Sequence, residues 1–346
     1  MADTNWEVET CVPGSKQARV FSPSNIALAK YWGKRDVALN LPTNGSLSVT
    51  LNGYGSFTTV EFDASFTADR LILNGKDESA TKLSKVSRVL NELRNISGVP
   101  MNARVQSYNN FPTGAGLASS ASGLSAVTMA GAQALGLGLT RTKMSEIARK
   151  GSGSACRSFF GGFSEWKRGE LADGSDSVAE QVEAASHWPL KIFIAVVNGA
   201  QKNQASTGGM EHTRQTSPYF VPWVESAQKQ IYFVRTAVQN RDFNALAALA
   251  ESNCIQMHAS AMAAVPPVFY WQAGTVEIMQ RVWALRKNGT PAFFTIDAGP
   301  NVVVLCEPAA AHAVSSELSK VSGVTLLTTE LGEGTRGFDP KEWRGE

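Results

Sequence analysis

Residues 107–125, SYNNFPTGAGLASSASGLS, constrain this chain more than any other stretch. Glycines and serines crowd the segment directly ahead of the alanine-rich run 126–135. That pattern is a glycine-rich loop feeding a helix start. A helix start carries unpaired backbone N–H groups and partial positive charge. Glycines let an anion approach that backbone, so the array suits the phosphates of a nucleotide. The alternative is an ordinary turn capped by Ser119 or Ser120, and for a lone turn of this kind that is the commoner outcome. The segment is neither a G-x-G-x-x-G fingerprint nor a Walker A sequence. Its form, P-x-x-x-G-L-x-S-S-A, is more restrictive.

Three further polar clusters stand out. Residues 24–36, SNIALAKYWGKRD, hold Lys30 and Lys34 four positions apart, so the two would share a face if the segment is helical. Tyr31 adds a hydroxyl beside them. The alternative is a solvated basic face with Trp32 in the core. Residues 151–162, GSGSACRSFFGG, gather Ser152, Gly153 and Ser154 ahead of Arg157. These offer donors to a phosphate, and Arg157 can grip a carboxylate or phosphate bidentately. They serve equally as a glycine-rich connection with Arg157 in solvent. Asp297 stands between two apolar runs in FFTIDAGPNVVVLC. An Asp before a glycine is a routine turn former, so alone it argues little for catalysis.

The rest of the chain supplies the frame. Residues 47–51 and 57–62 read as strands, and 71–73 as a strand entering the turn Asn74-Gly75. Leu83, Val86, Val89, Leu90 and Leu93 fall at helical spacing over 81–95. Val105 lies on a strand before the glycine-rich loop. A helix is expected over 141–150 behind a Thr140 or Thr142 cap. The polar, acidic stretch 168–187 precedes a domain boundary, dividing the chain into 1–188 and 189–346. In the second part, 190–197 is a strand, 219–238, 242–262 and 274–287 are helices, and 293–296 and 302–306 are strands flanking the Asp297 turn. Strands and helices mixed in both halves without a βαβα repeat predict an α+β fold.

A chain of 346 residues is long enough for two domains. A net charge of +2 and no basic run interleaved with aromatics argue against a nucleic-acid partner. The longest apolar runs are too short to span a bilayer, and the polar N-terminus is no signal peptide. Cys11, Cys156, Cys254 and Cys306, and His187, His212, His258 and His312, are scattered, so no structural zinc site is visible. Free thiols point to a reducing, cytoplasmic setting.

Together the clusters carry a resemblance. NIALAKYWGKRD, LNLPTNGSLSVTL, NNFPTGAGLASSASG, GSGSACRSFFGGFSEW, STGGMEHTRQTSPYF and FFTIDAGPNVVVLC follow one another from Asn25 to Cys306. In that order the chain resembles the mevalonate diphosphate decarboxylases of the GHMP kinase superfamily. Plain superfamily kinases usually have a glycine-rich third motif where this chain has DAGPN. Gly114, Gly45 and Ser122 depart from residues common in relatives.

The resemblance implies two α/β domains, an N-terminal one like ribosomal protein S5 domain 2 and a ferredoxin-like C-terminal one, with the active site in the cleft between them and usually a homodimer. It implies ATP- and Mg²⁺-dependent conversion of mevalonate 5-diphosphate to isopentenyl diphosphate. Related alternatives are a decarboxylase of mevalonate 5-phosphate and a mevalonate 3-kinase-like enzyme. By motif position Asp297, Arg157 and Lys30 are catalytic, with Arg157 and Asn25 near the substrate carboxylate. Tyr31, Lys34, Ser152, Gly153, Ser154, Ser206 and Met210 line the substrate pocket. Gly114, Gly116, Leu117, Ala118, Ser119 and Ser120 form the nucleotide loop. No residue is assigned to metal. If Arg157 is close to Asp297, it should hold the carboxyl pKa down.

Overall fold

The structure, a computed structural model, describes residues 16–111, 119–197, 205–339 and 342. The first half contains β1 (Lys16–Ala29), β2 (Lys34–Asp36), β3 (Leu41–Pro42), β4 (Ser46–Asp63), β5 (Arg70–Leu73), β6 (Lys76–Asp77), β7 (Asn102–Asn109), β8 (Phe163–Trp166) and β9 (Ala179–Glu183). Helices α1 (Ala80–Ser97), α2 (Ser119–Ala134) and α3 (Arg141–Gly151) and a 3₁₀ turn at Gly153–Phe159 complete it. The second half contains β10 (Lys191–Val197), α4 (Ser206–Thr216), α5 (Phe220–Gln239), α6 (Phe243–Met262), α7 (Ala273–Lys287), β11 (Ala292–Thr295), β12 (Val302–Cys306), α8 (Ala311–Leu318), β13 (Val324–Glu330) and β14 (Arg336–Gly337). The fold is α+β, as expected.

The large sheet runs β14-β1-β4-β7-β5-β6, with β8 and β9 attached to β4. Among the described strands, only β5 and β7 pair in parallel. The second sheet, β11-β12-β10-β13, is antiparallel. Thr140 caps α3 by accepting the Lys143 N–H, which decides between the two candidate threonines. Asn74 and Gly75 both have positive φ, the geometry a tight hairpin turn demands.

Two local expectations need correction. Residues 47–51 and 57–62 are not separate strands but one continuous β4. Residues 51–54 bulge opposite Ser24 of β1, with Asn25 facing Thr50 and Pro23 facing Gly55. The intervening Asn52-Gly53 reads as a turn locally, yet β1 follows the bend and keeps the ladder going. Residues 24–36 are not helical either. They are the end of β1, an extended passage through Lys30–Gly33, and β2. Lys30 and Lys34 therefore do not share a helix face. The β-branched and small residues before Lys30 are buried on both sides of a central strand, so sheet pairing overrides their helical spacing.

The halves share a core. Ile26, Leu28, Leu47 and Val49 from the first join Ile192, Ile194, Ile231 and Val234 from the second in one buried cluster. Residues 331–337 then cross back: Leu331 bridges Leu51, and β14 pairs with β1. Ser22 Oγ lies 2.7 Å from Thr335 Oγ1 and 2.6 Å from Ser125 Oγ, tying this returning strap to α2.

Candidate active site

A cleft of about 570 Å³ opens between the halves. Its lining includes every expected site residue that is described: Asn25, Lys30, Tyr31, Lys34, Ser119, Ser120, Ser152, Gly153, Ser154, Arg157, Ser206, Met210 and Asp297. Gly114, Gly116, Leu117 and Ala118 lie outside the described residues.

Asp297 lies two residues past the end of β11. Its loop is pinned where Thr275 Oγ1 donates to the Pro300 carbonyl at 2.6 Å and Asn301 Oδ1 accepts the Val197 N–H at 2.9 Å. Lys30 Nζ donates to Asp297 Oδ1 at 2.5 Å and to the Ala27 carbonyl at 2.8 Å. Lys30 is buried, whereas 32% of the Asp297 side chain stays exposed, so the carboxylate can meet a ligand while its cation partner is fixed from behind.

The direct partner of Asp297 is Lys30, and Arg157 makes its hydrogen bonds elsewhere. Arg157 is wholly buried on the 3₁₀ turn and does not point into solvent. Its Nε and Nη2 donate to Asn25 Oδ1 at 3.2 and 3.0 Å, and Nη1 donates to Ser46 Oγ at 2.5 Å. The amide of Asn25 donates in turn to Ser158 Oγ at 2.8 Å and to the Ser154 carbonyl at 3.1 Å. Asn25 thus spends its hydrogen-bonding capacity on orienting Arg157. A guanidinium has five N–H donors. Three are used in these bonds, so the remainder can face a carboxylate in the cleft. Burial lowers the Arg157 pKa, and the neighbouring Cys156, Asp297 and Tyr31 oppose that shift. A guanidinium stays a cation in proteins.

The hydroxyl wall is continuous. Ser120 Oγ lies 3.4 Å from Ser152 Oγ, which lies 3.5 Å from Ser154 Oγ. Gly153 sits between them with no room for a side chain: a Cβ there would come within 2.7 Å of the Trp166 ring. The Tyr31 hydroxyl is buried with no hydrogen-bond partner among the described residues. Burial, reinforced by Cys156 and opposed by Arg157, pushes its pKa well above the usual phenol range. Tyr31 is therefore a standing O–H donor that lacks an acceptor. An anion in the cleft supplies one.

Lys85 and Arg88 of α1 and Lys150 of α3 also line the cleft, and sequence reasoning missed them. Their signal was the three-residue spacing of Lys85 and Arg88 on the polar face of α1. Burial lowers the Lys34 pKa first, and repulsion from Lys85 and Arg88 lowers it further, against Glu211. Asp297 is the only carboxylate among the described residues that line the cleft. The donor set thus suits polyanions. Among the described residues, no group of three or more His, Cys, Asp or Glu side chains is placed to hold a metal.

Two family models match successive stretches: the diphosphomevalonate decarboxylase-like N-terminal domain over residues 22–179 and the mevalonate 5-diphosphate decarboxylase C-terminal domain over 192–335. The chain belongs to the diphosphomevalonate decarboxylase family. Within this family, diphosphomevalonate decarboxylase mvd1 of Aspergillus fumigatus is 39% identical over 342 residues, covering 93% of this chain and 82% of the relative. A solved structure of MDDEF in complex with MVAPP, AMPPCP and magnesium superposes with a TM-score of 0.88 at 39% identity, covering 94% of this chain and 100% of that one. A structure of the mevalonate diphosphate decarboxylase from Enterococcus faecalis gives 0.87 at 39% identity, with the same coverage of both chains.

Proposed function

We propose that this chain catalyses the ATP-dependent decarboxylation of mevalonate 5-diphosphate to isopentenyl diphosphate, with release of ADP, phosphate and carbon dioxide. The observation that carries this reading is Asp297, paired with buried Lys30 and the one carboxylate among the described lining residues, in a cleft where lysines, arginines and hydroxyls supply the other charged and donor groups. Relatives at 39% identity are named as decarboxylases of this substrate, and a structural neighbour holds MVAPP, AMPPCP and magnesium together.

Phosphate oxygens with the hydroxyls of Ser119 and Ser120 would hold magnesium. Bound there, ATP and its metal supply the phosphoryl group and neutralise part of its charge. Lys30 locks one Asp297 oxygen, leaving the other to accept a hydrogen bond from the substrate 3-hydroxyl. A tertiary alcohol is far less acidic than a carboxylic acid, so Asp297 takes that proton late in a loose phosphoryl transfer. Phosphate then departs with the C3–O electron pair. Positive charge grows at C3, and the ionised Asp297 stabilises it. The electrons of the C1–C2 bond become the C2–C3 double bond as carbon dioxide leaves. Arg157, already shared with Asn25 and Ser46, holds the carboxylate in place without neutralising it fully. Lys34, Tyr31 and Ser152–Ser154 hold the diphosphate, and Ser206 and Met210 close the far wall.

We extend the reading to a two-domain division at 188/189, a homodimer and a cytoplasmic setting. The buried free thiols Cys156, Cys254 and Cys306 support a reducing compartment. Among the described residues, no helix is long and apolar enough to cross a membrane.

The test is to supply ATP with mevalonate 5-diphosphate or 5-phosphate and measure ADP, phosphate and carbon dioxide. Equal amounts of the three products are expected, with the diphosphate preferred by at least about a hundredfold in kcat/KM, because a site built to bond the missing group rejects its analogue. ADP with a stable 3-phosphorylated product and no carbon dioxide would make this a kinase. Preference for the monophosphate would replace the substrate.

A further inference from the structure

The catalytic pair spans the molecule: Lys30 belongs to the first half and Asp297 to the second. Lys30 lies just beyond the end of β1, where its backbone leaves the sheet ladder. Buried backbone N–H and C=O groups need partners. Two side-chain amides supply them. Asn253 Oδ1, from α6 of the second half, accepts the Lys30 N–H at 2.6 Å. Asn44 Nδ2, from the first half, donates to the Lys30 carbonyl at 2.7 Å. Both asparagines are fully buried.

The orientation of the Asn253 amide is set as well. Its Nδ2 donates to Gln230 Oε1 of α5 at 2.7 Å, so its oxygen is the atom turned toward Lys30. The same helix grips the Asp297 side. Cys254 Sγ accepts the Ile296 N–H at 3.2 Å, and His258 Nε2 lies 3.1 Å from the Ile296 carbonyl. Consecutive residues of α6 therefore fix the main chain of Lys30 and the peptide immediately before Asp297.

We infer that Asn253 is a positioning residue: through the Lys30 main chain it sets the approach of Nζ to Asp297 across the two halves. This rests on the proposed decarboxylase chemistry. Lys30 has a long, flexible side chain, so a buried anchor on its backbone is what turns helix position into a fixed ammonium position. A misplacement of about 1 Å at a reacting centre costs on the order of a hundredfold in rate.

The test begins with the wild-type enzyme on mevalonate 5-diphosphate and ATP. Absence of carbon dioxide there counts against the functional reading and leaves the positioning claim to be judged on whichever reaction is found. Asn253→Leu keeps the shape and removes the acceptor. Expected is a fall in kcat of at least about tenfold, with KM and nucleotide affinity within about twofold of wild type. Asn253→Asp keeps the acceptor, and Gln230 can turn its amide to meet it, so this variant should recover most of the loss. A purely structural amide would lower thermal stability while leaving kcat per folded molecule unchanged, and that result overturns the inference. Should Asn253→Leu not fold, Gln230→Met, at a half-buried position, releases the amide orientation instead. A kcat loss at constant KM then supports the assignment, and unaltered kcat refutes it.

Discussion

Asp297 has two faces with different duties. One oxygen is held at 2.5 Å by a buried ammonium, and the side chain keeps enough exposure to touch a ligand. Asp297→Asn preserves the size and one acceptor oxygen, so the loop and the Lys30 contact should survive. The negative charge and the proton acceptor are lost. Turnover should drop at least about a hundredfold, the lower range for losing an acid–base group, while nucleotide binding measured by titration persists. Near-normal carbon dioxide release from this variant would remove Asp297 from the chemistry. At this scale the sequence was informative about which residues meet: DAGPN, KYWGK and GSGSACRS all reach one cleft. It does not say which cation, Lys30 or Arg157, holds the carboxylate. Arg157 and Asp297 are 140 positions apart in sequence, and only the folded route of β1 brings Lys30 in ahead of it. The commitment of Arg157 to Asn25 and Ser46 rests on contacts more than 100 positions long, which no local pattern encodes.

Among the elements, α6 carries the most consequence. In sequence its residues read only as one amphipathic helix, because Asn253, Cys254 and His258 sit on a buried face with small residues and announce no chemistry. His258 is fully buried against Tyr270 and Trp271. Desolvation lowers its pKa from 6.5 to about 4, with the nearby Lys30 lowering it too, against the Ile296 carbonyl and Asp297. A carbonyl can only accept, so the neutral ring donates from Nε2 to Ile296. The linkage sign follows from the depressed value. Above pH 6.5 the ring is neutral folded or unfolded, and nothing is lost. Between pH 6.5 and about 4 the unfolded chain binds the proton and the folded one does not, so stability falls as pH falls. Over pH 7 to 5 that amounts to about 2 kcal/mol, at 1.36 kcal/mol per unit. His258→Gln keeps a donor near the Nε2 position and cannot titrate. Denaturant melts at both pH values should show a smaller acid-side loss for the variant. Equal losses in the two proteins would mean that His258 is already protonated in the fold. Local turns and caps, by contrast, were legible: the Thr140 cap and the Asn74-Gly75 turn follow local rules. The bulge in β4 was not, because Asn52-Gly53 satisfies a turn rule that the neighbouring strand overrules.

Over the whole molecule, the shared core decides how the halves behave. Ile26, Leu28, Leu47 and Val49 are buried with Ile192, Ile194, Ile231 and Val234 in one cluster. Parting the halves would expose apolar side chains from both at roughly 25 cal/mol per Å². A boundary at 188/189 is therefore a division of chain, and the two parts should unfold together. Calorimetry is expected to give one transition, coincident with loss of tryptophan fluorescence and of helical circular dichroism. Two separated transitions would oppose this, and would place the cleft between independently stable bodies. The composition of the chain offered no hint of this coupling, since a buried cluster is assembled from residues far apart in sequence.

The strap at 331–337 adds a timing constraint. Ribosomes deliver a chain from its N-terminal side, and early segments generally begin to fold before later ones exist. Here the outer edge of β1 waits for β14, the Phe21 and Val20 pairing partners being Arg336 and Gly337. The Thr335 N–H and hydroxyl both donate to the Ser158 carbonyl, one residue past Arg157. The Gly332 carbonyl likewise accepts the Gly162 N–H just beyond the end of that turn. A nascent chain carrying every residue of the cleft still lacks the lid over the arginine turn and presents an unpaired strand edge. The edge of β1 and the contacts on the arginine turn are thus among the last parts of the fold that synthesis allows to close.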